Sequence, residues 1–287
     1  LWWILPYTAI WPTEVNTARP TDSDRTLTIL TSNVLTPNRN AAALIALVEE
    51  HQPDVLVTLE SDQWWQDQLA VLESDLPYTI KYPLDNLYGM HVYSRLPLSD
   101  EEVAFLVEDD VPSMHALVQL RSGDRVRVHF VHPAPPSPTE NEESAERDAE
   151  LVIVAKSIAD STQPIIVTGD LNDVAWSPTT RLFRKISGLL DPRVGRGMYS
   201  TFHADYPFMR WPLDHLFHSK DFTVKTIRRL PSIGSDHFPL LASVVFTPAE
   251  RQEQEGLQPE AGDHKRAEQI AKERDADKRD VPEPGLK

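Results

Sequence analysis

Residues 165–173, IIVTGDLND, form an apolar run that ends on a glycine, an acid, an amide and a second acid. Neighbours on an extended chain face opposite ways, so Asp170 and Asn172 share one face while Leu171 turns to the core. On these residues alone, a strand closed by an Asx-type turn explains the pattern better than a reactive site does. Further polar residues fall at the ends of other apolar segments: Asn33, Glu60, His132, Asp214, Asp236 and His237. The set consists mainly of oxygen donors with two imidazoles, which suits a hard cation such as Mg²⁺ or Mn²⁺. Zinc is a poorer match, with no HExxH helix and no cysteine pair. Ser235, Asp236 and His237 are consecutive, so by themselves they do not make a serine-hydrolase triad.

The elements that must position these groups follow from periodicity. Residues 27–34 alternate as a strand ending near Asn33, and Asn38 or Asn40 can cap a helix carrying Ala41, Leu44, Ile45 and Val48. Pro53 ends that helix, and 55–59 form a second strand ending at Glu60. Strand, helix, strand implies a parallel crossover, and open α/β sheets place sites at the C-terminal ends of such strands. Further strands are read at 88–93, 114–120, 125–131 and 240–246. His132 opens a proline-rich loop that restricts its backbone. Thr139 to Glu142 form a capping-box pattern before a helix with Ala145, Ala149, Val152 and Ile153 on one face. A shorter helix starts near Ser177 and Pro178 and carries Leu182, Phe183 and Ile186.

The chain has 287 residues, 40% of them hydrophobic, which suffices for a substantial core. Its formal charge of −16 opposes non-specific binding to a nucleic-acid polyanion. The absence of cysteine excludes disulfides, thiolate metal sites and a cysteine nucleophile. Residues 1–24 begin with an apolar, Trp- and Tyr-rich stretch too short to span a bilayer. They read as the end of a membrane anchor plus a linker, against the alternative of an apolar arm packed on the domain. Residues 25–247 form the folded domain, and 248–287 read as a polar, mobile tail.

Asn33 in TSNVL, Glu60 in VTLES, the SRLP at Arg95, His132 in FVHPAPP, the GDLN of Asp170 and Asn172, residues 210–217, and the SDH at 235–237 occur in one order. That order resembles the endonuclease/exonuclease/phosphatase superfamily, with its deoxyribonuclease I-like fold, in a membrane-anchored bacterial-type member. The resemblance implies a four-layer α/β sandwich, two mixed β-sheets face to face with helices outside. It implies a metal held by Glu60 with Asn33 and Asp236 helping. Asp214 would orient His237, Asp170 would align or deprotonate the nucleophile, and Asn172 would contact a non-bridging oxygen. His132 would bind phosphate or protonate the leaving oxygen, and Arg95 and Arg210 are candidate phosphate contacts.

The expected activity is Mg²⁺- or Mn²⁺-dependent hydrolysis of a phosphoester by in-line attack of water. Phosphodiesterase, nuclease and phosphatase all remain open. The expected substrate is a lipid head group, a cell-envelope phosphodiester or nucleic acid, met by a membrane-anchored domain outside the cytoplasm. A non-catalytic binding domain with the same fold is the competing reading. A carboxylate-pair glycosidase using Asp170 and Asp214 is a third.

Overall fold

The computed structural model describes residues 2–19, 23–135 and 145–283. In chain order the elements are β1 Thr26–Asn33, α1 Ala41–His51, β2 Val55–Leu59, α2 Gln63–Leu69, β3 Tyr78–Tyr82, β4 Met90–Ser94, β5 Leu98–Phe105, β6 Pro112–Gln119 and β7 Arg125–Phe130. There follow α3 Ala145–Ile158, β8 Ile165–Asp170, α4 Pro178–Ser187, β9 Asp214–His218, β10 Phe222–Arg229, β11 Leu240–Phe246 and α5 Asp263–Glu273. They build a six-stranded sheet, β10-β11-β1-β2-β4-β3, and a five-stranded sheet, β5-β6-β7-β8-β9. Both are mixed: β1 and β2 pair in parallel, as do β7 and β8, while the other pairs are antiparallel.

The inner faces meet in one core, where Leu27, Ile29, Val55 and Val57 face Val126, Val128, Phe130 and Ile166. Outside the first sheet, Leu44, Val48, Trp65 and Leu69 of α1 and α2 cover Leu30 and Leu56. Outside the second, α3, α4 and α5 cover Val131, Val167 and Phe217. The result is the expected four-layer α/β sandwich, in which the central strands are buried along nearly their whole length, Thr28 and Arg125 excepted.

Two boundaries differ from the sequence reading. The stretch after Pro248 is not a free tail: Ala267 and Ala271 of α5 pack into the layer outside the second sheet, and Gln254 is buried, bonding the Lys220 and Phe222 carbonyls. The N-terminal arm is also docked. Tyr7 is buried with its hydroxyl on the Ala175 carbonyl at 2.8 Å, and Glu14 pairs with the buried Arg184. Thus 5–19 are part of the domain and not a linker, because a Glu–Arg pair this deep must be held by packing on all sides. Among the described residues no helix is long and apolar enough to cross a membrane. The capping-box residues Thr139 to Glu142 lie outside the described residues.

Candidate active site

Because β1 and β2 run parallel in one sheet and β7 and β8 run parallel in the other, four strand ends open toward one edge of the sandwich. Asn33 closes β1, Glu60 follows β2, His132 follows β7 and Asp170 closes β8. On β9, Asp214 lies directly opposite Asp170 in the ladder. Gly169 is required there, since a Cβ on it would sit 1.8 Å from the Val131 carbonyl oxygen. Glu60 and Asn172 both adopt left-handed backbone, with φ of 57° and 50°. Such conformations are costly for non-glycine residues and persist where the surroundings hold them.

The side chains converge. Asn33 donates from Nδ2 to Glu60 Oε1 at 2.7 Å and to Asp170 Oδ2 at 3.1 Å, joining the two sheets. Asp170 Oδ1 accepts the Asn172 backbone N–H at 2.9 Å. His237 lies between two acids, with Nδ1 2.8 Å from Asp214 Oδ2 and Nε2 3.4 Å from Asp170 Oδ2. His132 Nε2 is 4.0 Å from the same Asp170 oxygen.

Burial works against charge on His237, yet Asp214 and Asp170 outweigh it and lift its pKa to about 10. Burial would likewise raise Asp170, but His237, His132 and its hydrogen bonds pull it below the usual carboxylate range. Burial lowers His132 and favours its neutral form, against the pull of Asp170. Burial is also the main force on Glu60, which stands at about 7 despite the Asn33 bond, with Asp170 adding to the rise.

Glu60 Oε2 is buried without a hydrogen-bond partner. A buried orphan carboxylate oxygen is costly, and a hard cation would satisfy it. Asn33 is turned otherwise than expected for a ligand: its Oδ1 accepts the Leu35 N–H at 3.1 Å, and its nitrogen faces the acids. It acts here as the donor that holds two carboxylates together. Asp236 is half-buried, and its charge reaches both Glu60 and His237. Asp170, Asp214 and His237 offer another compact group, with ligand atoms within 4.8 Å of one another. An imidazolium has no lone pair to give, however, so the Glu60 side is the better match to a cation while His237 carries its proton.

Asn172 donates from its amide to the Pro133 carbonyl at 3.0 Å, tying the Asp170 loop to the His132 loop. Arg95 is a correction. Its backbone bonds Asp54 at the start of β2 and its guanidinium bonds Gln52, so it lies at the opposite end of the strand from Glu60. Arg210 borders the site, lying 5.0 Å over the Phe238 ring and bonding the Ala204 carbonyl.

Several supporting groups gave no sequence signal. The Phe202 ring packs, tilted, 4.9 Å from His237, and Tyr88 lies 5.8 Å from His132. Arg147 holds the Asn172 carbonyl at 2.9 Å. Buried Arg193 pairs with Asp191 and bonds His215 Nδ1, whose Nε2 meets the Asp173 carbonyl at 2.9 Å. Asp173 itself accepts bonds from Ser177 and Thr180 at the start of α4, so its carboxylate is committed to structure. Arg147 inside α3, Arg193 in the loop after α4 and Tyr88 in a loop have no distinguishing spacing, which is why these were silent.

Known proteins share this frame. The solved structure of D. rerio TDP2 with a single-strand DNA product is 16% identical over 78% of this chain and 99% of its own, with a TM-score of 0.64. The human Nocturnin catalytic domain with bound sulfate is 18% identical over 78% and 94%, with a TM-score of 0.62. An endonuclease/exonuclease/phosphatase family protein from Bacteroides thetaiotaomicron is 19% identical over 79% and 97%, with a TM-score of 0.59. No curated protein matches the sequence. The profile of the Endonuclease/Exonuclease/phosphatase family matches residues 30–237, from inside β1 through His237 and so across every converging strand end. The chain belongs to that family.

Proposed function

We propose that the protein is a divalent-metal-dependent phosphoester hydrolase in which an activated water attacks phosphorus in line with the leaving oxygen. The observation that carries this reading is the convergence of an orphaned Glu60 oxygen with the Asp214–His237–Asp170 relay at one edge of the sandwich. Glu60, with Asp236 beside it, would hold Mg²⁺ or Mn²⁺; when bound, the ion neutralises charge on the phosphoryl oxygens.

The chain's own groups supply the rest. Asp170 is ionised, buried and fixed by Asn33 and the Asn172 N–H, so it can orient the water and take its proton as the new P–O bond forms. His237, kept charged by Asp214, donates toward a non-bridging oxygen of the phosphoryl group. His132 faces the same space, and as a neutral imidazole it is placed to donate a hydrogen bond to the departing oxygen, whose proton comes from water, as the old P–O bond breaks. Asn172 keeps the two loops in register. A glycosidase reading loses ground because His237 fills the gap between Asp170 and Asp214, where a sugar and its water would have to sit.

A DNA product on the TDP2 relative and a sulfate on the Nocturnin relative are in keeping with phosphate-like groups bound by this fold. The substrate is read as a phosphoester met at a membrane, with the domain lying outside the cytoplasm and its docked N-terminal apolar arm on the bilayer side. Turnover of bis-p-nitrophenyl phosphate, p-nitrophenyl phosphate, plasmid DNA and sphingomyelin with Mg²⁺ or Mn²⁺ tests the class. Wild type should cleave at least one, and Glu60→Gln and His237→Ala should lose about a hundredfold or more. Equal turnover by all three proteins sinks the assignment.

A further inference from the structure

The loop between the Phe202 segment and β9 exposes its large apolar side chains. Phe208 is 99% exposed, and Met209, Tyr206 and Trp211 are exposed beside it. This is a held shape: His203 N–H bonds the Met209 carbonyl, Met209 N–H bonds the Tyr206 carbonyl, and His203 and Tyr206 rings pack at 4.6 Å. The loop is also fastened to the active-site edge, through the Ala204 N–H to the Asp236 carbonyl at 2.7 Å and the Phe202 ring on His237.

The aromatic surface continues away from the site. Trp211 packs 6.4 Å from Trp176, Trp176 packs 6.0 Å from Tyr7, and Trp11 and Trp176 join the same cluster. Trp11 in turn meets Trp2, which is 72% exposed, and Ile10 is 83% exposed in the same arm. Cations flank this strip. Arg210, Arg228 and Arg229 line a hollow of about 530 Å³ with Tyr199 and Ser200, no acid among them, and Arg181 lies 5.1 Å over Trp3. Asp205 in the same loop is mostly exposed, and Asp236, whose carbonyl holds that loop, is half-buried.

From this the geometry points to a membrane-docking face: the 203–211 loop and the N-terminal arm seat the mouth of the active site on a bilayer containing anionic lipid. Tryptophan, tyrosine and phenylalanine bordered by arginine is the composition that partitions into the head-group region. The arginine hollow is complementary to anionic head groups in a chain whose net charge of −16 would otherwise be repelled. Nucleic acid fits less well. Met209 and Ile10 have no aromatic face for a base, and three arginines make a short basic track. Docking would bring a phosphoester carried by a lipid to His237 without lifting it from the bilayer. That consequence rests on the hydrolase reading, whereas the docking does not.

The test is co-flotation of the full chain with vesicles of phosphatidylcholine alone or mixed with phosphatidylglycerol. Binding should favour the mixed vesicles and weaken with salt. The double variant Phe208→Ser with Met209→Ser and the variant Arg228→Glu should each lose affinity on the order of tenfold. All act at exposed positions, so circular dichroism and any turnover of soluble bis-p-nitrophenyl phosphate should be unchanged. No binding to either vesicle overturns the inference, as does binding that the loop variants leave intact. Preferential binding of a single-stranded oligonucleotide, lost in the same variants, would assign the face to nucleic acid instead. An inactive protein that still floats with vesicles would count against the hydrolase reading alone.

Discussion

His237 is charged because two carboxylates flank it. Removing one should therefore be visible in a pH profile. Its pKa is raised, so its ionic contribution is complete below the ordinary histidine range and is lost as pH rises through about 10. In Asp214→Asn the alkaline limb of the pH–rate profile should move down toward neutrality, with kcat/KM reduced about a hundredfold or more. An unmoved limb would mean that Asp214 does not set the charge of His237. Glu60 behaves in the opposite sense. It is protonated below about 7 and ionised above, so a proton competes with the metal on the acid side. Calorimetric Mg²⁺ affinity should fall by up to about tenfold per pH unit below that value and level off above it, and Glu60→Gln should remove both the binding and its pH dependence.

At the scale of elements, the reactive groups are held by a frame that tolerates little change. Gly169→Ala forces a Cβ against the Val131 carbonyl and should cost about 2–3 kcal/mol in denaturant unfolding. Asp191→Asn leaves the buried Arg193 without its partner behind the Asp173 turn and should cost about 3–5 kcal/mol. Wild-type stability for either variant would show that the turn is not braced from these sides. The legibility of the sequence divides along the same lines. β1, β2, β7, β8 and β11 are interior strands with continuous or cleanly alternating apolar residues, and their ends gave Asn33, Glu60, His132 and Asp170 directly. β3, β5 and β10 gave no such signal, because each lies at a sheet edge. An edge strand can carry Lys81, Asp100, Glu101 or Arg228 toward solvent, which erases the alternation. Arg95 was placed by motif alone; its position at the wrong end of β2 depends on the antiparallel β2–β4 pairing, which local spacing does not encode.

Across the whole molecule, the N-terminal arm around Tyr7 and Glu14 and the segment from Pro248 through α5 belong to the fold. A helix over part of 267–278 was legible, but the polar composition after Pro248 hid its docking, because α5 buries only the small groups Ala267 and Ala271, which add little to an apolar count. Deleting 248–287 should remove about 2 kcal/mol of burial, a fall in Tm of about 4–8 °C by scanning calorimetry. An unchanged Tm would return the segment to the status of a free tail. The docked arm also has a consequence for function, since it places Trp2 and Ile10 on the domain's surface instead of at the end of a loose tether.

The central claim is that one edge of this sandwich performs metal-assisted phosphoester hydrolysis through Glu60 and His237. Its most direct test is the initial rate of bis-p-nitrophenyl phosphate cleavage as a function of Mg²⁺ after chelator treatment, for wild type and Glu60→Gln. Wild type should be inactive without the ion and saturate as it is restored, while Glu60→Gln should stay about a hundredfold or more below it. Turnover that ignores Mg²⁺, or that is equal in the two proteins, would contradict the account.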